Sequence, residues 1–444
     1  MIVTNKKWIF YGLVCALAML CIFLLNKPQV TAQAATTYYV STSGDNRQSG
    51  SKAHPFQTIQ YGISQLSAGD TLLIKGGTYY ETLKVPKKIH GKKNARITIA
   101  NAPGERAIIS GKNASSYESG PTLLSLNGTS YITIRGLEFT DASGQNACGI
   151  YIAAGTHHFK IAKNRIHDII VQDPTTKDRC ANGILLFGDS AKYSIHDGTI
   201  SANTLYRCTT GWAECLSVTG NVKKITIHKN TLRNIGNIGI DLSGNYGYCK
   251  KASLDFPRNC KITANKVYRC ISPNATSYGI YIDGGQKILI KNNVVKGCQG
   301  GIEIGAEQKP TKEKYSTSHI TVTGNKLSGN LEAAMAIGGY EKKLGWVTQV
   351  SITKNICKNN GTNDTIVALS KCKNITFTQN TFYNKTGSAA IFYNEMSRAY
   401  TKNLTFSQNK YGNKQCYFVL HNKEYTSFAK WKKATKDKNS KVVK

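Results

Sequence analysis

The sequence predicts an all-β chain wound as a single-stranded parallel β-helix, a solenoid of stacked coils with a cap at each end. Two recurring strands and one irregularity carry this expectation. A short alternating strand ending in Asn recurs nine times, as in ITIHKNTL (225–232), ILIKNNVV (288–295) and ITFTQNTF (375–382). A second strand, Gly-Ile-x-Ile, recurs between these, as in GIYIAAG (149–155), GIDLSGN (239–245), GIYIDGG (279–285) and GIEIGAE (301–307). The repeat length varies too much for helical repeats, whereas stacked β coils absorb such variation in their loops.

In chain order, Lys6 and Lys7 precede the apolar run WIFYGLVCALAMLCIFLL (8–25), and AQA (32–34) offers a cleavage site. Residues 1–34 therefore read as an export signal. An uncleaved anchor is the alternative and would be the chain's only tie to a membrane. Residues 35–90 read as the N-terminal cap with the first strands, 91–413 as the coils, and 414–444 as a C-terminal cap with a basic tail. The repeat asparagines are Asn164, Asn203, Asn230, Asn265, Asn293, Asn325, Asn355, Asn380 and Asn409, spaced by 39, 27, 35, 28, 32, 30, 25 and 29 residues. Asn tolerates the left-handed backbone of a tight bend. Its amide can also hydrogen-bond along a stack of identical residues.

In the Gly-Ile-x-Ile strand the Ile positions point inward and the x positions outward. One outward column reads Tyr151, Leu185, Ser217, Asp241, Tyr281, Glu303, Ala336, and the next reads Ala153, Phe187, Thr219, Ser243, Asp283, Gly305. Asp241, Asp283 and Glu303 are thus expected on the outside of three consecutive coils. Strand spacings put Asp241 roughly 9–10 Å from Glu303 and about 8 Å from Asp283. Loops 244–259, 305–318 and 338–348 leave the downstream end of this strand and are expected to wall a groove. They bring Glu307, Lys309, Arg258 and the ring of Trp346 towards it as substrate-binding groups.

The formal charge is +33, or +30 without Lys6, Lys7 and Lys27. That excess predicts an anionic partner. Export, scattered lysines and the lack of any zinc-finger or nucleotide-binding motif exclude nucleic acid and leave an acidic polysaccharide or cell-wall glycan. The chain is expected to be an extracellular monomer, either free or associated with the cell surface. Of 13 cysteines, 11 follow the signal, an odd number. Cys249 and Cys260 bracket one loop, which predicts a local disulfide. Cys208, Cys270 and Cys298 each lie five residues after a repeat Asn and predict a buried stack of thiols. His157 and His158 read as loop residues rather than ligands.

The stretch TTYYVSTSGDNRQSGSKAHPFQTIQYGISQLSAGDTLLIKGGTYYETL (36–83) resembles the N-terminal region of secreted right-handed parallel β-helix proteins related to polysaccharide lyases, notably the family 9 pectate lyases. YTSFAKWKKATKDKNS (425–440) is similar to their short helical end segment. The resemblance implies a right-handed solenoid and, more weakly, lyase chemistry. Those lyases carry an Asp-Asp-Gly-Trp-Asp segment that supplies calcium ligands. Here TTGWAE (209–214) keeps Gly211 and Trp212 but has Thr209, Thr210 and Ala213 in place of acids, with Glu214 one position further on.

Three functions are open on the sequence. The leading one is a polysaccharide lyase that β-eliminates a uronate chain. In it, Asp241, Asp283 and Glu303 are expected to be catalytic and to offer ligands for Ca²⁺, and Tyr281 or a loop Lys or Arg is the base. A glycoside hydrolase needs two carboxylates, roughly 6.5–9.5 Å apart for inversion, and the same acids fall near that window. The third is a non-catalytic wall or glycan-binding solenoid.

Overall fold

The chain is described here by a computed structural model covering residues 34–361, 365–385, 390–412 and 416–443. The expected export signal lies almost wholly outside these residues. Thr36–Lys444 forms one compact unit. Among the described residues, each coil contributes to three long sheets. The first holds 13 strands from Thr37–Val40 to Thr401–Ser407, and the second 13 from Gly77–Tyr79 to Lys441–Val442. The third holds 11, from Leu83–Pro86 to Ala390–Tyr393. Every strand of these sheets pairs in parallel with its equivalent one coil away, so the all-β, single-stranded right-handed parallel β-helix is the fold.

Period-2 alternation decides what is inside. Ile161, Ile200, Ile227, Ile262 and Ile290 stack as one inward column of the first sheet and are fully buried. Thr199 and Thr226, one residue earlier, face outward and stay partly exposed. A one-residue slip would turn every one of these Ile side chains to solvent, so burial itself holds the register.

The asparagines form a continuous internal ladder between the first and second sheets. Asn230 Oδ1 accepts from the backbone N–H and from Nδ2 of Asn203, both at 2.9 Å, and Asn265 Oδ1 does the same for Asn230 at 2.9 and 3.0 Å. Nδ2 of Asn230 also donates to the Ile200 carbonyl at 2.9 Å. The series ends on a backbone donor at one side, Leu137 N–H to Asn164 Oδ1 at 3.0 Å. It ends at the other on a hydroxyl, Asn409 N–H to Ser440 Oγ at 2.8 Å. These amides do not themselves take the left-handed conformation. That falls on the residue before each one, including Lys163, Ala202, Lys229, Ala264 and Lys354, with φ of 55–56°. The turn must aim the Asn side chain inward, so the strained residue is the one whose side chain can point to water. A non-glycine residue there costs roughly 1–2 kcal/mol, which the ladder offsets.

A second internal column runs along the next corner. Cys270 N–H reaches Cys298 Sγ at 3.4 Å, as the expected thiol stack requires, and Cys298 N–H donates to Asn330 Oδ1 at 3.0 Å. Asn330, Asn360 and Asn384 then continue it as amides. The disulfide expected between Cys249 and Cys260 is not formed; both are free thiols. Cys260 points into the core and receives Ile225 N–H at 3.5 Å, while Cys249 lies in the loop outside, its N–H bound to Asp255 Oδ1 at 2.8 Å. One thiol is inside the coil and the other outside, so the bracket in sequence is not a contact in space.

Both open ends are closed by short helices. Thr58 caps Ile59–Ser64, which buries Ile59 and Ile63, and Ser427 caps Phe428–Thr435. Trp431 of that last helix is fully buried, 4.4 Å from Phe418 and 5.0 Å from Phe406 between ring centroids. It covers the last coil's apolar floor, where Phe392, Phe406 and Phe418 would otherwise meet water.

Asn265→Ala strands the Asn230 amide and the Ile227 carbonyl that Asn265 satisfies. At about 1–3 kcal/mol for each stranded group, a loss of about 3 kcal/mol or more is expected from the denaturant midpoint. Thr226→Ala should cost less than about 0.5 kcal/mol. Equal losses in the two variants would mean that the ladder adds no net stability.

Candidate active site

Sheet register places Asp241, Tyr281 and Glu303 in one outward column between Ser217 and Ala336, and Asp283 two residues along from Tyr281 beside Gly305. The expected solvation does not hold: Asp241, Asp283 and Glu303 are only 2%, 1% and 2% exposed. They face away from the core but lie beneath loop side chains. Tyr246 comes over Asp283 from the 244–259 loop, and Tyr340 comes over Glu303 from the 338–346 loop, its hydroxyl donating to Glu303 Oε1.

The hydrogen bonds here cannot all be made by ionised carboxylates. The Tyr246 hydroxyl lies 2.5 Å from Asp283 Oδ2 and 2.9 Å from Glu307 Oε2. A phenol has one hydrogen to donate. When it goes to one carboxyl oxygen, the other contact needs a proton carried by the second carboxyl group. Glu307 also accepts from the Tyr281 hydroxyl at 3.1 Å, and its backbone N–H donates to Asp283 Oδ1 at 2.7 Å. Asp283, Glu307 and two tyrosines are thus tied into one unit that holds a proton.

Asp241 is different, because its Oδ1 is buried and has no hydrogen-bond partner. Asp241 is part of the lining of a cavity of about 560 Å³. Ser217, Asp241 and Asp283 line the floor, Trp212 and Glu214 one wall, and Tyr246, Tyr248 and Glu307 the other. Among the described residues, no Lys or Arg lines it. Burial pushes the Asp283 carboxyl up to about 7, reinforced by Glu307. Burial likewise raises Glu214 to about 7, against the bond it makes with Ser217. Asp241 is raised well above the carboxylate range, by burial first and then by the charges of Glu214 and Asp283. The cavity therefore holds several carboxyl groups able to carry protons near neutrality.

Of the other expected site residues, Tyr281 and Glu307 line the cavity and the rest lie elsewhere. Glu303 is outside the cavity lining, bound to Tyr340. Tyr281 is 3% exposed, burial with its acidic neighbours pushes the phenol up, and its hydroxyl donates to Glu307. Arg258 braces the loop, donating to Asn221 Oδ1 at 2.8 Å and to carbonyls of its own loop. Lys309 is exposed, away from the lining. Trp346 is crowded instead by the ammonium groups of Lys371, Lys373 and Lys402 at 5.0–5.8 Å. Sequence reading missed Trp212 and Glu214 as partners in this cavity. The visible signal for the two was TTGWAE, which occupies the position of the lyase calcium segment.

Calcium does not fit this arrangement. It takes six to eight oxygens around one point. Among the described residues, Asp241, Asp283 and Glu303 do not place their oxygens within 4.8 Å of one another. The oxygens of Asp283 and Glu307 already receive hydroxyl and amide hydrogens.

The protonated acids also set how stability depends on pH. Asp283 and Glu214 move from ordinary values of 3.8 and 4.5 to about 7 on folding. Across that window the folded state holds more protons than the unfolded state, so stability falls as pH rises. Tm is expected to drop between about pH 5 and about pH 8. Asp241→Asn, which has no charge to bury, should raise Tm at the alkaline end and flatten the slope. A variant whose Tm profile matches the parent would show that Asp241 is not buried as described.

Residues 38–203 match the family described as Pel9A-like, right handed beta helix region, and residues 252–429 match the right handed beta helix region family. Uncharacterized protein YwoF of Bacillus subtilis (strain 168) is 32% identical over 451 residues, covering 97% of this chain and 93% of its own length. Pectate lyase PEL9 of Emericella nidulans is 33% identical over a segment of 81 residues, 18% of this chain and 20% of that one. In structure, a GH136 lacto-N-biosidase from Eubacterium ramulus superposes with a TM-score of 0.61 at 13% identity, covering 85% of this chain and 68% of that one. Fold, coil register and near full-length similarity agree: the chain belongs to the right-handed β-helix family that includes YwoF, with a Pel9A-like N-terminal half.

Proposed function

We propose that the protein is an extracellular glycoside hydrolase, with Asp241 as the general acid and Glu214 as its partner carboxylate. The observation that carries this is Asp241, a buried carboxyl with an unpartnered Oδ1, in the lining of a cavity with acidic floor and aromatic walls. Burial raises the proton affinity of this carboxyl, and a carboxyl so tuned can deliver its proton to a glycosidic oxygen as the bond breaks. Glu214 titrates near 7 on the neighbouring wall, suited to activating water or stabilising the positive charge that develops on the sugar ring. Asp283, Tyr246 and Glu307 hold the floor rigid and keep a second proton in reserve. Trp212 and Tyr248, both substantially exposed, offer flat faces for sugar rings.

The lining favours an uncharged sugar at the point of cleavage, since no cation there would pair with a uronate carboxylate. The large positive charge of the whole chain draws it to anionic walls without acting at the bond itself. Similarity to a pectate lyase supports a second reading, β-elimination on an acidic polysaccharide, with the base and the carboxylate-neutralising group still to be supplied.

The two readings part on their products. Incubation with neutral and uronate-containing glycans is expected to release reducing ends without the ultraviolet absorbance of an unsaturated uronate. Asp241→Asn and Glu214→Gln should each lower kcat by roughly 10²–10⁴ while the fold persists. Appearance of the unsaturated product would establish the lyase instead, and full activity in both variants would move the chemistry away from this cavity.

A further inference from the structure

At the turn that leads from the third sheet to the first, two successive coils bring histidines together outside the acid cavity. His157 and His196 are bridge partners along the solenoid axis, their rings parallel within 2° and 4.9 Å apart. The next residue on each coil, His158 and Asp197, takes a left-handed backbone, with φ of 51° and 53°. His158, His196 and Asp197 each present a ligand atom within 4.8 Å of the other two. All three are partly buried, so solvent reaches the site while its walls stay fixed.

The remaining ring nitrogens are already held. His158 Nδ1 is 2.8 Å from His157 Nδ1, a contact in which only one nitrogen carries the hydrogen. His196 Nδ1 is 2.7 Å from Asp197 Oδ2. Nε2 of each ring and Oδ1 of Asp197 take no part in these two contacts, and metal-binding imidazoles are commonly oriented through their second nitrogen in this way. The His158 ring is further fixed by stacking on Tyr131 at 4.5 Å, and its carbonyl accepts from Arg96 at 2.8 Å. The Lys224 ammonium stands 3.9 Å from Asp197 Oδ1 on a side chain 61% exposed, free to swing into water when another cation arrives.

We propose that His158, His196 and Asp197 form a binding site for a first-row divalent metal ion of the zinc, nickel or copper class, bridging two coils. Two imidazoles and one carboxylate suit these ions and are too few and too nitrogen-rich for calcium. Water would complete the coordination. Joining consecutive coils at a turn, the ion would stiffen the solenoid and does not depend on the hydrolase reading.

The test uses untagged, chelator-treated protein titrated with ZnCl₂ by calorimetry, with Co²⁺ absorption as a second probe of coordination. Binding of about one equivalent is expected, with the intense visible bands of four-coordinate Co²⁺. His158→Gln and His196→Gln should each weaken binding at least about tenfold, and Asp197→Asn should weaken it with the least risk to folding, checked by circular dichroism. Asp241→Asn should leave zinc binding unchanged. Absence of saturable binding, or binding that survives His158→Gln/His196→Gln together, would overturn the proposal.

Discussion

A column of buried amides lets this chain be a solenoid at all. From Asn164 to Asn409, each coil turns from its first to its second sheet at an Asn whose side chain would be costly to bury alone. Each Asn satisfies the backbone and amide donors of the Asn on an adjacent coil, so the cost disappears only when neighbours are present. The interaction is therefore cooperative along the axis and worthless to an isolated coil, as in other repeat folds where stability resides in the interfaces. Loop lengths between the asparagines vary freely because none of the ladder's geometry passes through them.

That freedom is what the cavity uses. The third sheet presents a regular face, and loops of unequal length are laid over one stretch of it. Carboxylates that would be ordinary surface groups on a bare coil become buried beneath Tyr246 and Tyr340. Burial raises their proton affinity, and the shared phenol of Tyr246 shows in hydrogen-bond terms that one of the Asp283–Glu307 pair must hold a proton. The fold tolerates this because the ladder and the Ile columns hold the strands whatever the charge above them. A rigid floor that bears strained acid groups is the usual setting for proton-transfer chemistry.

The thiol column shows the same economy in another chemistry. Cys270 and Cys298 occupy the corner that Asn330, Asn360 and Asn384 occupy on later coils. A small inward side chain able to face a backbone N–H satisfies the position, whether sulfur or amide. The free thiols Cys270 and Cys298 are thus explained by packing, without a disulfide framework.

The sequence by itself determined the repeating part: strand alternation, coil register, the Asn ladder, and the column that lines Asp241, Tyr281 and Glu303 on successive strands. These follow from contacts between equivalent residues one coil apart, and such contacts leave a periodic trace in the chain. Only the tertiary structure decided which acids are buried, that Glu214 joins Asp241 while Glu303 does not, and that Cys249 and Cys260 lie on opposite sides of the wall. It also brought His158, His196 and Asp197 together, where the sequence suggested a plain loop. These features depend on where non-repeating loops fold back, and a loop's path has no period from which to read it.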